Sequence, residues 1–154
     1  MMNSKLLPLV LLEADGGEPI EGITRYMKLV FLAQKEHLDR EIYEYNPGQY
    51  GPFSKDLYDD IDKLEEEGFI ERVDQTTAKG NDKQVYRLTE KGERTLRQAR
   101  ALPEEAFPEI LDNLKDLKEE YNSMDLWDLL EYVYAEYPGM AENSVLDIPV
   151  GKAA

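Results

Sequence analysis

Residues 66–96 read EEGFIERVDQTTAKGNDKQVYRLTEKGERTL, and no other stretch limits the fold so strongly. Gly68 follows a run of helix formers and suits the left-handed residue that closes a helix C-terminus. Phe69, Ile70 and Val73 then fit an extended, half-buried strand, with Glu71 and Arg72 turned to water. Residues 74–84 lack large apolar side chains, and Gly80-Asn81 is a hairpin turn signal. Val85, Tyr86 and Leu88 make the return strand. Thr89 is a good N-cap, with Glu90 placed where the helix dipole favours an anion. Helix end, strand, turn, strand and helix, in that order, form the wing of a winged helix-turn-helix.

The rest of the chain supplies helices around that wing. An apolar segment from Ser4 to Glu13 predicts a first helix, stopped by Asp15-Gly16-Gly17. The segment ITRYMKLVFLAQKEHL (23–38) repeats Ile23, Met27, Val30 and Phe31 at helical spacing, and Tyr26, Leu29 and Ala33 widen its apolar face. It should lie at the centre of the core. YEYNPGQYGPFS (43–54) is dense in aromatics and reads as a packed loop leading to a helix capped by Ser54, with Leu57, Tyr58, Ile61 and Leu64 turned inward. Pro103 and Pro108 break the chain after the post-wing helix. We therefore divide it into a winged-helix domain, 1–102, and a C-terminal helical extension, 103–154. The expected fold is mainly α, a winged helix-turn-helix with a two-stranded β-wing.

The extension carries two apolar patterns. Ile110, Leu114, Leu117 and Tyr121 lie on one helix face, while MDLWDLLEYVYAEY (124–137) is apolar around nearly its whole circumference. A small domain has little surface with which to cover both, so a second copy is the expected cover. Leu114, Leu117, Trp127 and Leu130 are the expected contacts of a homodimer.

Charge narrows the function. The 154 residues carry a net charge of −15, unevenly spread. Residues 72–100 hold eight cations and four anions, whereas the segments on either side are strongly acidic. Lys79, Lys83, Arg87, Lys91 and Arg94 form the core of this cationic island and are the candidate contacts to double-stranded DNA. Arg97 and Arg100 extend it, and the acidic C-terminal helices are competing partners for Arg94, Arg97 and Arg100. The expected recognition helix argues the other way. Its outward side chains are two lysines and six carboxylates, with no Arg, Asn or Gln to read bases.

Other chemistry is thinly represented. His37 is the single histidine, no serine sits in a nucleophile motif, and the DDID and LEEE runs lack the spacing of a calcium loop. We expect no catalytic residues, no metal and no cofactor. With no cysteine, disulfides are excluded; residues 6–13 are too few to span a bilayer and lack the following small-residue cleavage pattern of a signal peptide. The expected setting is cytoplasmic, away from any membrane.

Three segments also carry a family resemblance: RYMKLVFLAQKE (25–36), YEYNPGQYGPFSKDLYDDIDKLEEEGFI (43–70) and LLEYVYAEYPGMAENS (129–144). Together they resemble the YwgA-like bacterial and archaeal proteins. Through Lys28-Leu29 and Tyr50-Gly51-Pro52 they more distantly resemble Panacea-type antitoxins of the SocA kind. VYRLTEKGERTL is similar to the wing and following helix of MarR- and PadR-like regulators. These resemblances imply a winged-helix fold in a regulatory or defence context. Two functions stay open: a DNA-associated transcriptional regulator, or an antitoxin or adaptor that binds protein instead of DNA. For the second, Tyr43, Tyr45, Tyr50 and Tyr58 beside the acidic helix are the candidate contacts to a basic partner such as a toxin.

Overall fold

The computed structural model describes residues 5–76, 80, 82–102 and 113–148. Its elements run α1 (Leu6–Gly17), β1 (Ile20–Glu21), α2 (Ile23–Leu32), β2 (Asn46–Gly48), β3 (Gly51–Phe53), α3 (Lys55–Glu66), β4 (Ile70–Thr76), β5 (Asp82–Leu88), α4 (Glu90–Arg100), α5 (Lys115–Asn122) and α6 (Leu126–Glu136). A π-helical turn, Ala33–Leu38, continues α2, and a 3-10 turn, Pro138–Ala141, follows α6.

The local signals act as their chemistry dictates. Gly68 adopts φ +82°, ending α3 and releasing the chain into β4. The Ser54 and Thr89 hydroxyls accept from the backbone N–H groups of Leu57 (3.2 Å) and Gly92 (3.1 Å), capping α3 and α4. Strands β4 and β5 pair antiparallel from Ile70↔Leu88 to Thr76↔Asp82. The wing is larger than expected. Ile20 pairs with Tyr86 and Glu21 with Val85, so β1 adds a third strand in the order β1-β5-β4. Two residues are too short a run to show a period, which is why alternation did not expose them. Strand β1 lies between α1 and α2 in the chain and beside β5 in the sheet, so the fold is mainly helical with a small antiparallel sheet.

The core is built on α2. Tyr26, Leu29, Val30, Phe31 and Leu32 are fully buried, and Phe31 meets Tyr45 and Tyr137 edge-on at 5.1 and 5.0 Å. Helix α1 packs on α2, α4, α5 and β5, and α6 packs on α2. The cover expected from a second chain is therefore supplied by the chain itself. Leu114, Leu117 and Leu130 lie in the same hydrophobic cluster as Phe31. Of the expected dimer contacts only Trp127 stands exposed, at 45%, beside Leu126 at 37%. The reason is geometric: the chain folds back so that α5 covers α1 and α6 covers α2. Ile110 lies outside the described residues.

Lys118 and Glu36 are two of the polar joints that fasten this extension. Lys118, fully buried, donates to the carbonyl oxygens of Leu12 (3.1 Å), Ala14 (2.8 Å) and Glu18 (2.6 Å). Helical geometry is lost at Ala14, Asp15 and Gly16, so the α1 end has carbonyls to satisfy, and the ammonium meets them. The second joint is Glu36. Its carboxylate accepts from the hydroxyls of Tyr121, Tyr132 (2.6 Å) and Tyr137 (3.0 Å), tying the π-helical turn to α5, α6 and the corner after α6.

Strands β2 and β3 form a small hairpin in the segment read as a packed loop, with Gly48 opposite Gly51. At Gly51, φ is +87° and an added Cβ would stand 2.8 Å from the Tyr134 ring and 3.3 Å from Lys28 Cε, so only glycine fits. The segment after α6 straps the hairpin down: Val145 N–H donates to the Gln49 carbonyl at 2.9 Å.

Candidate nucleic-acid interface

Strands β4 and β5 and helix α4 carry the described members of the cationic island, and most of these already have partners. Lys83 pairs with Glu21 across β1 and β5 at 3.1 Å. Arg87 pairs with Glu71, its register partner on β4, also at 3.1 Å. Lys91 donates to the Glu67 carbonyl at 2.6 Å and lies 4.6 Å from the centre of the Phe69 ring. Arg94 is exposed and has no partner among the described residues. Lys79 lies outside the described residues. Arg100 forks onto Glu13 of α1.

These pairs do not close the surface to phosphate. An exposed ion pair contributes roughly 0–1 kcal/mol, so a phosphate can displace the carboxylate at little cost. Lys83 and Arg87 sit on β5, with Lys91 and Arg94 on the first turns of α4, the helix that follows it in the chain.

Helix α3 presents a different surface. Asp56, Lys63 and Glu66 are exposed, and Lys55 is held by Asp59 at 2.9 Å. Asp60 accepts from the Tyr43 hydroxyl at 2.7 Å, and Glu65 pairs with Arg72 at 3.2 Å. The carboxylates on this helix would face a phosphate backbone with like charge.

The four candidate tyrosines separate into two pairs. Tyr43 and Tyr45 are core residues, 3% and 8% exposed, with their hydroxyls engaged by Asp60 and the Met27 carbonyl. Their large rings are better buried than left in water, and this corrects their assignment as partner contacts. Tyr50 and Tyr58 are exposed, and Tyr58 does not face inward as its spacing suggested. Phe53, which sequence reasoning passed over, joins them: its ring centre lies 6.1 Å from that of Tyr58.

Lys28, Glu36 and Lys118 also escaped notice as individual sites. For Lys28 a signal existed, because it interrupts the otherwise apolar run YMKLVFL, and burial pushes its ammonium down to about 7. Among the described residues no group of His, Cys, Asp or Glu could hold a metal ion, and no helix is long and apolar enough to cross a membrane.

Comparison with known proteins adds one finding. Residues 32–98 are similar to the family described as the transcriptional regulator PadR-like family. The matched segment runs from the end of α2 through α3 and the wing to near the end of α4. No curated protein matches the chain.

Proposed function

We propose that this protein is a winged-helix transcriptional regulator that touches DNA through its wing and the start of α4, with α3 contributing little base readout. The observation carrying this reading is the coincidence of the PadR-like segment, 32–98, with the helix, wing and helix of a winged-helix fold. The charge division supports it. Cations line β5 and α4, while carboxylates dominate the α3 face that a specific reader would insert into a groove. Phosphate contacts of this kind position a protein on DNA and give salt-sensitive, sequence-tolerant affinity.

Fluorescence anisotropy with a labelled duplex at stepped salt tests the proposal. Binding should weaken steeply with salt, and each of Lys83→Ala, Arg87→Ala and Arg94→Ala should flatten the log–log slope by about one unit. Absence of binding at low salt, or an unchanged slope in the triple variant, rejects wing-mediated contact.

A second reading rests on the exposed cluster of Tyr50, Phe53 and Tyr58 beside the acidic α3. Aromatic anchors with an anionic rim suit a basic protein partner, in keeping with the YwgA-like and Panacea resemblance. Tyr58→Ala would then abolish partner capture and leave DNA affinity unchanged, whereas a DNA contact at α3 would show the reverse.

A further inference from the structure

Among the described residues three cations are buried, Arg25, Lys28 and Lys118, and two of them have more than one hydrogen-bond partner. Lys118 serves three carbonyls and has Asp15 and Glu18 nearby. Arg25 donates to the carbonyls of Tyr121 (3.4 Å) and Asn122 (3.2 Å), with Glu21 and Asp125 nearby. Lys28 differs. It is 2% exposed, and among the described residues its single partner is the Pro52 carbonyl at 3.1 Å. A buried ammonium with one of three N–H groups engaged and no carboxylate partner is electrostatically incomplete.

Its surroundings supply room for what is missing. A cavity of about 390 Å³ lies between α2 and the β2–β3 hairpin, with Lys28 in its wall. Ile23, Met27, Tyr50 and Phe53 give most of the rest of the lining an apolar character, with Thr24, Gln49 and the two glycines of the hairpin completing it. This volume falls within the range of small-molecule pockets, which combine apolar walls with a few placed polar groups.

We infer that this cavity binds a small monoanion with an apolar body, such as a monocarboxylate, whose charge pairs with the Lys28 ammonium. The carboxylate would accept the N–H groups that Pro52 leaves unused, and the body would rest on Met27, Tyr50 and Phe53. Apolar walls select against a free phosphate, whose higher charge would lose its hydration without enough replacement donors. Phe53 lies one residue before the cap of α3, so an occupant would bridge α2 and the start of that helix. This inference stands whether or not DNA is bound.

Titration of the full chain with benzoate, benzamide and inorganic phosphate, followed by amide resonances, tests it. Benzoate should saturate in the millimolar range or below and shift Ile23, Thr24, Gln49 and Gly51. Benzamide, of the same shape without charge, should bind about tenfold more weakly, and phosphate should leave these resonances unmoved. Lys28→Met should lose the preference for benzoate over benzamide. No saturable benzoate binding, equal affinity for benzoate and benzamide, phosphate binding as tight as benzoate, or a preference retained in Lys28→Met would each overturn the site. Should Lys28→Met not fold, the wild-type comparison of the three ligands decides alone.

Discussion

The Lys118 ammonium donates to the Glu18 carbonyl at 2.6 Å, so a side chain of α5 closes the unwound end of α1. The same nitrogen serves Leu12 and Ala14, and no water-exposed lysine could replace it. Lys118→Ala strands three carbonyls at once and should cost roughly 2–4 kcal/mol. Urea denaturation measures this, and an unchanged midpoint would show that the carbonyls find other donors.

Phe31 is fully buried between Tyr45 and Tyr137. Phe31→Ala removes the ring that joins the winged helix to the extension and should destabilise the chain by roughly 3–5 kcal/mol. A melting temperature equal to wild type would mean that this contact is not made in solution.

Lys28 gives a pH signature. Burial holds its ammonium down to about 7, against 10.5 for an ordinary lysine. Between those values the unfolded chain binds a proton that the folded chain does not. The residue's contribution to stability therefore rises with pH across that window and is least favourable below it. Lys28→Met abolishes the term, so it should be more stable than wild type at about pH 6, with the gap narrowing toward about pH 10. Urea midpoints of both proteins across pH would show this, and a constant difference would contradict it.

Assembly is the fourth expectation. With Leu114, Leu117 and Leu130 covered by the chain itself, the exposed pair Leu126 and Trp127 is left to meet a second copy. We propose a homodimer centred there. Light scattering at micromolar concentration should give a dimer mass, and Trp127→Glu should return a monomer. A monomeric wild type would end the proposal.

Much of the helix, hairpin and helix over residues 54–100 was legible because its signals are local. Gly68, Ser54 and Thr89 act within a turn of their own positions, and Phe31 lies on a helix whose period is unbroken. What escaped depends on distant contacts. Strand β1 exists because Ile20 and Glu21 meet Tyr86 and Val85, residues far along the chain. Lysines read as solvent-facing, so the burial of Lys118 was invisible until its carbonyl partners were in place, whereas Lys28 at least interrupts an apolar run. Nor does an apolar helix such as α6 announce whether its cover comes from the same chain or another. The exposure of Tyr58 against its apparent inward spacing has a local cause, since Phe53 stands beside it at the surface.

Glu36 shows how a chain with 33 carboxylates and 18 cations organises its anions. Three phenolic hydroxyls converge on it, and Tyr43 serves Asp60 in the same manner. Tyrosine here does work that lysine and arginine do in a balanced protein, while Arg25, Lys28 and Lys118 are withdrawn into the interior. The outer surface is accordingly poorer in positive groups than the composition implies. On the proposed reading, an approaching polyanion would meet a repulsive surface with an attractive window at β5 and α4. Orientation during encounter would then be set by exclusion from everywhere else as much as by attraction at the window.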